Sequence, residues 1–77
     1  MFPTARTIPL IATLDQALTH ALNTWRESAS VVSARWQVFL EARSEDRAWA
    51  FASYVAALDD EEAAAAELAE LSSAVRA

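Results

Sequence analysis

The sequence predicts an all-α protein, and its simplest arrangement is an antiparallel hairpin of two long helices. Glycine is absent and both prolines lie within the first nine residues, so no strong helix breaker follows residue 9. Apolar residues then recur at alternating steps of three and four, which is the spacing of a heptad repeat. A chain of 77 residues without cysteine has a marginal core and no disulfide to support it. We therefore expect the hairpin to complete a four-helix bundle as a homodimer.

Residues 1–12 are predicted to form an N-terminal arm that precedes a single helical-hairpin domain. The arm contains both prolines and shows no helical periodicity. Thr13 begins a capping box, which places the start of helix 1 near residue 14. A start at Thr7, with a proline in the first turn, is the alternative. The arm also carries three apolar side chains that are candidate interface residues: Phe2, Ile8 and Ile11.

The hairpin domain, residues 13–77, is predicted to have helix 1 at about 14–42, a turn at 43–44 and helix 2 at about 45–75. Ser44 is a favourable helix cap, and the two acidic residues after it suit the first turn of a helix. Nearly equal arms favour a hairpin over one continuous rod. In helix 1 the apolar stripe consists of Leu22, Trp25, Ala29, Val32, Trp36 and Phe39.

The apolar stripe of helix 2 is wider and less regular. If the chain folds about residue 44, Trp36 lies beside Phe51, and Trp25 lies beside the small residues 63–66. A break near Asp59 would instead give a three-helix bundle. The stripe consists of Phe51, Tyr54, Leu58, Ala65, Leu68 and Val75. Flanking apolar residues, which one facing helix cannot cover, add two interface candidates: Leu40 and Leu71.

Charge is distributed unevenly along the chain. The net charge is -5, and residues 39–77 hold nine acidic side chains, whereas residues 1–38 are close to neutral. All six basic residues are arginines, and none of them forms a polybasic run, so nucleic acid is not an expected partner. The apolar stretch 8–14 is too short to span a membrane and is interrupted by Pro9. The sequence therefore predicts a cytoplasmic protein with protein partners.

No group of residues predicts catalysis, a cofactor or a metal. His20 is the single histidine, and position 17 is alanine, so the Glu-x-x-His pattern of a di-iron bundle is missing. Neither a nucleophile nor a paired base is evident, so we do not expect an enzyme. Consecutive helix positions diverge by about 100°, which favours a solvated acidic surface over a metal cage. The acidic-surface residues are Asp59, Asp60, Glu61 and Glu62.

Trp49 is the tryptophan that the predicted stripes do not use. It lies almost opposite Phe51 on helix 2, where an indole meets water unless another group covers it. It either braces the turn through a cation–π contact with Arg43 or Arg47, or takes part in an interface. Trp49 is therefore a further interface candidate.

Two functions are open at this point. The first is a non-enzymatic protein–protein interaction module that self-associates or serves as an accessory subunit or regulator of a larger complex. The second is an acidic inhibitor or antitoxin-like binder of a basic, nucleic-acid-binding partner. A short hairpin with Trp49 near its turn resembles the small secreted WXG-type proteins, but their Trp-x-Gly turn is missing here. The sequence therefore assigns no family.

Overall fold

The computed structural model describes the backbone of residues 3–76 and the side chains of residues 13–76. Within this range helix α1 runs Pro3–Glu41 and helix α2 runs Arg47–Arg76. The two helices pack against each other as a hairpin, which confirms the predicted fold class. Helix α2 is continuous through Asp59, so the three-helix alternative is wrong. Neither described helix combines the length and the apolar character that a membrane crossing needs.

Helix α1 begins much earlier than residue 14, so the predicted start is wrong. Pro3 occupies the first turn, where a helix amide has no intrahelical partner and its absence costs nothing. A second proline at Pro9 removes one further helical hydrogen bond, and the residues around it are otherwise free of strong helix breakers. Thr13 therefore lies inside the helix rather than at its cap. The side chains proposed for the arm's interface, Phe2, Ile8 and Ile11, lie outside the described residues.

The turn is longer than the predicted 43–44 and comprises residues 42–46. The backbone amide of Asp46 donates to the carbonyl of Arg43 at 2.9 Å, a tight three-residue step typical of a 3₁₀ turn. Asp46 then precedes α2, and its carbonyl accepts the amide of Ala50 at 2.9 Å. Aspartate is favoured at this cap position. Helix α2 therefore starts two residues later than the predicted residue 45.

The packing of aromatic rings defines the register between the helices. Phe39 pairs with Phe51 and Trp36 pairs with Tyr54, with ring centroids 5.5 and 5.0 Å apart. The predicted register, with Trp36 beside Phe51, is therefore shifted by about three residues, in keeping with the later start of α2.

The hairpin is long and thin, with extents of 68 × 15 × 13 Å. Its radius of gyration is 18.4 Å, whereas a compact domain of this length has a value of about 11 Å. The arms are unequal, because α1 has 39 residues and α2 has 30. An elongated pair of helices has little interior, so the side chains along their surfaces decide what the fold can do.

Candidate interaction surface

The two helices meet along small residues. Among the described side chains the buried apolar ones are all alanines, and they form what we call the contact line: Ala21, Ala50, Ala57 and Ala64, with 3, 1, 5 and 8% of their surfaces exposed. The three alanines of α2 recur every seven residues, so they lie on one side of that helix. Small residues let two helix axes approach closely. The large apolar side chains must therefore lie beside the contact line rather than on it.

Four of these large side chains form one aromatic cluster across both helices: Trp36, Phe39, Phe51 and Tyr54. In addition to the two pairs that set the register, Trp36 contacts Phe39 at 5.4 Å and Phe51 contacts Tyr54 at 6.3 Å between ring centroids. Trp36 is nevertheless 39% exposed and Phe51 48% exposed. The cluster is thus a joined aromatic surface that the hairpin covers only partly.

The cluster occupies one side of the hairpin. Phe51 follows Ala50 by one residue, which places it about 100° round from the contact line. On α1, Arg35 lies two heptads after Ala21, so it occupies nearly the same angular position round the helix. Trp36 follows Arg35 by one residue and is therefore displaced from the contact line by a similar angle. Because the rings of the two helices touch, both displacements are toward the same side, which we call the aromatic side.

Trp49 lies on the opposite side. It precedes Ala50 by one residue, so it is displaced by about 100° in the other direction. With 64% of its surface exposed, the indole is not covered by the turn. It lines an open depression together with Val38, Glu41 and Arg43. The structure therefore separates Trp49 from the aromatic cluster, although the two are close in sequence.

The other predicted interface residues have different environments. Leu40 is 55% exposed, so α2 does not cover it. Leu71 is half-buried. In helix 1 the predicted stripe does lie toward α2, because Leu22, Trp25 and Val32 are half-buried, whereas Trp36 keeps 39% of its surface exposed.

Far from the turn, one polar contact links the helices. The indole N–H of Trp25 donates to a carboxylate oxygen of Glu61 at 2.7 Å in a partly buried position. The sequence predicts Glu61 as part of the acidic surface. The structure shows that it lies toward α1, because it has a donor there that satisfies the carboxylate.

The remaining acidic-surface residues, Asp59, Asp60 and Glu62, are exposed. Within the described part of the chain, no three acidic, histidine or cysteine side chains are grouped so that they could hold a metal ion. His20 is exposed on α1. The described side chains thus present two apolar regions and an acidic stretch as the features available for binding.

Sequence reasoning did not select the aromatic cluster as an interaction surface. The rings were assigned to the core of the hairpin because large apolar residues at heptad spacing usually face the neighbouring helix. The signal that could have corrected this is the spacing of Ala50, Ala57 and Ala64, which forms a second heptad column one residue away from the predicted stripe. Comparison of the chain with protein-family models, curated proteins and solved structures finds no match.

Proposed function

We propose that this protein is a non-enzymatic helical interaction module that self-associates through its aromatic side into a four-helix bundle, either alone or as a subunit of a larger complex. The observation that carries the proposal is that the buried apolar residues of the described chain are alanines only. Burial of large side chains is the main stabilising contribution in a small domain, and no large side chain among the described residues is fully buried. A second apolar surface is the remaining source of stability.

The exposed surface area supports association. The chain exposes 5935 Å², whereas a compact monomer of this mass exposes about 4,600 Å². The excess, about 1,300 Å² for each chain, is larger than the roughly 600 to 1,000 Å² that each partner buries in a stable complex. Part of it is the aromatic cluster, whose rings are already ordered by contact with one another, so little additional side-chain ordering is needed on binding.

Light scattering and thermal melting test the proposal directly. We expect at least a dimer at micromolar concentration and a melting temperature that rises with protein concentration, because association stabilises the folded state by mass action. A monomer at every concentration, with a sharp and concentration-independent transition, would contradict the proposal.

A matched pair of variants locates the surface. Phe51→Ser removes an exposed ring from the aromatic side, and Trp49→Ser removes an exposed ring from the opposite side. We expect Phe51→Ser to weaken self-association at least tenfold while Trp49→Ser leaves it unchanged. Equal losses in both variants would mean that general surface hydrophobicity, and not the aromatic side, drives assembly.

The acidic binder is the second candidate, supported by the exposed carboxylates of Asp59 and Asp60. Asp59→Asn and Asp60→Asn together should leave self-association intact and should weaken only the binding of a basic partner. Because Glu61 is held by Trp25, the predicted four-residue acidic surface has one member fewer for such a partner.

A further inference from the structure

The aromatic side of the hairpin has an outer edge on each helix. Positions five residues after a contact-line position lie about 140° round the helix, just beyond the aromatic side. On α1 this edge carries Arg26, five residues after Ala21, and Leu40, two heptads after Arg26; on α2 it carries Val55 and Glu62. Leu40 is 55% exposed and Val55 is 37% exposed. Each edge therefore combines one apolar and one charged side chain, with opposite charges on the two helices.

The register fixes the heights of these residues along the hairpin. Since Phe39 is level with Phe51 and Trp36 with Tyr54, Arg26 is level with Ala64. It is therefore only two residues, about 3 Å along the axis, from the height of Glu62. By the same register Leu40 is level with Ala50 of α2, and this height falls between those of Ala48 and Val55. The charged residues of the two edges thus lie within about 3 Å of each other in height, and the apolar ones within about 8 Å.

From this placement we infer that the aromatic side is covered by a second copy of the chain whose turn lies at the same end, with α1 beside α2 of the second copy. This inference rests on the proposed self-association and specifies its geometry. A two-fold axis along the hairpin then brings the two aromatic clusters together. It also places Arg26 beside Glu62 of the second copy, and Leu40 between Ala48 and Val55 of the second copy.

The charges of the helices favour this orientation over the reverse one. Helix α2 has six acidic and two basic residues, whereas α1 has three of each. If the turns lay at opposite ends, a two-fold axis across the hairpins would set α2 against α2, and two acidic helices would repel each other. With the turns at one end, each acidic helix has only electrically neutral neighbours, α1 of either copy.

The distribution of exposed apolar residues also favours a dimer with both turns at the same end. Seven of the eight exposed large apolar side chains in the described range lie between residues 31 and 55, on either side of the turn. Four of these seven, Trp36, Leu40, Phe51 and Val55, lie on the aromatic side or its outer edge, and turns at the same end bring them together in the two copies. Val31, Val38 and Trp49 lie on the opposite side and stay uncovered. The reverse orientation would set each uncovered part against a far end whose large side chains are already half-buried.

A single introduced thiol tests the orientation. The chain has no cysteine, so Ser44→Cys places one spin label in the exposed turn of each copy. Turns at the same end should give a label separation of about 10 to 20 Å, since packed helices lie about 10 Å apart. Turns at opposite ends should give about 45 Å, the length of a 30-residue helix. Circular dichroism of the labelled protein confirms that the helices are retained.

Charge exchange gives an independent test. Arg26→Glu and Glu62→Arg should each weaken dimerisation about three- to tenfold, and the double variant should restore it. A dimer with the long label distance and no restoration in the double variant would overturn the orientation while leaving self-association in place. A wild-type monomer in light scattering would overturn both.

Discussion

The half of the hairpin near the turn and the half far from it differ in how much of their large side chains they leave exposed. Near the turn, rings and branched residues between positions 31 and 55 remain exposed, and Trp49 reaches 64%. Far from the turn, Leu18, Leu22 and Leu68 are half-buried, and Trp25 is tied to Glu61. Both halves belong to the same pair of helices, but among the described side chains the turn half has more large apolar residues. The turn half also joins α1 to α2 through its rings, but it leaves more of its large side chains exposed.

The contact line supplies a physical reason for this difference. The alanines of α2 become less buried with distance from the turn, from 1% exposed at Ala50 to 8% at Ala64. Close approach at the turn leaves no room for a large side chain between the helices, so the rings pack beside the contact line and remain partly exposed. The turn half therefore leaves more apolar surface exposed, which the proposed self-association would use.

The largest effect that tests this comparison is overpacking of the contact line. Ala50→Leu should destabilise the protein by about 2 to 3 kcal/mol, because the added side chain has no space, whereas Ala64→Leu should cost about 1 kcal/mol. Urea unfolding followed by circular dichroism measures both. The exposed Ala56 provides the control, since Ala56→Leu should change stability by less than about 0.5 kcal/mol. Equal losses in the free energy of unfolding for Ala50→Leu and Ala64→Leu would mean that the helices pack equally closely in both halves.

The fold class was predictable because it depends on features that act over the whole chain. The lack of glycine and the confinement of proline to Pro3 and Pro9 leave helix as the main option, and a polar segment near Ser44 marks the reversal. The start of α1 was not predictable from local rules. Pro9 resembles the end of an irregular arm, yet a proline near a helix N-terminus interrupts only one hydrogen bond.

The surface was less predictable than the fold. A heptad pattern shows that one side of a helix is apolar, but it does not show which of two neighbouring columns faces the helix of the same chain. In α2 the large residues Phe51 and Leu58 form one column and Ala50 and Ala57 form the next. The alanine column forms the contact between the two helices of the chain, because small residues permit closer approach. The donor for Glu61 also depended on the register, which the sequence did not specify.

A smaller effect tests the far half. Trp25→Phe keeps an aromatic ring but removes the indole N–H, so the partly buried carboxylate of Glu61 loses its donor. We expect a loss of about 1 kcal/mol, at the low end for a hydrogen bond to a charged group because water still reaches the site. Glu61→Gln keeps an acceptor for the indole and should cost less than Trp25→Phe. Glu70→Gln, at an exposed position away from the aromatic side, serves as the stability control.

The pair also distinguishes a structural contact from an incidental one. If Trp25→Phe and Glu61→Gln both leave the urea midpoint unchanged, the Trp25–Glu61 hydrogen bond does not hold the far half together. The contrast between the two halves would then rest on the leucines alone.

The smallest effect is expected at Trp49, which is the most exposed large residue of the turn half and lies on the side away from the aromatic cluster. Because neither the turn nor the proposed second copy covers it, Trp49→Ala should change the free energy of unfolding by less than about 0.5 kcal/mol and should leave the dimer intact. Unfolding curves and light scattering on the same samples measure these two quantities. A fall in stability with an unchanged dimer would show that the indole braces the turn. Weaker assembly with intact helicity would instead place Trp49 in the interface, and the aromatic side could then no longer be the only surface that joins the two copies.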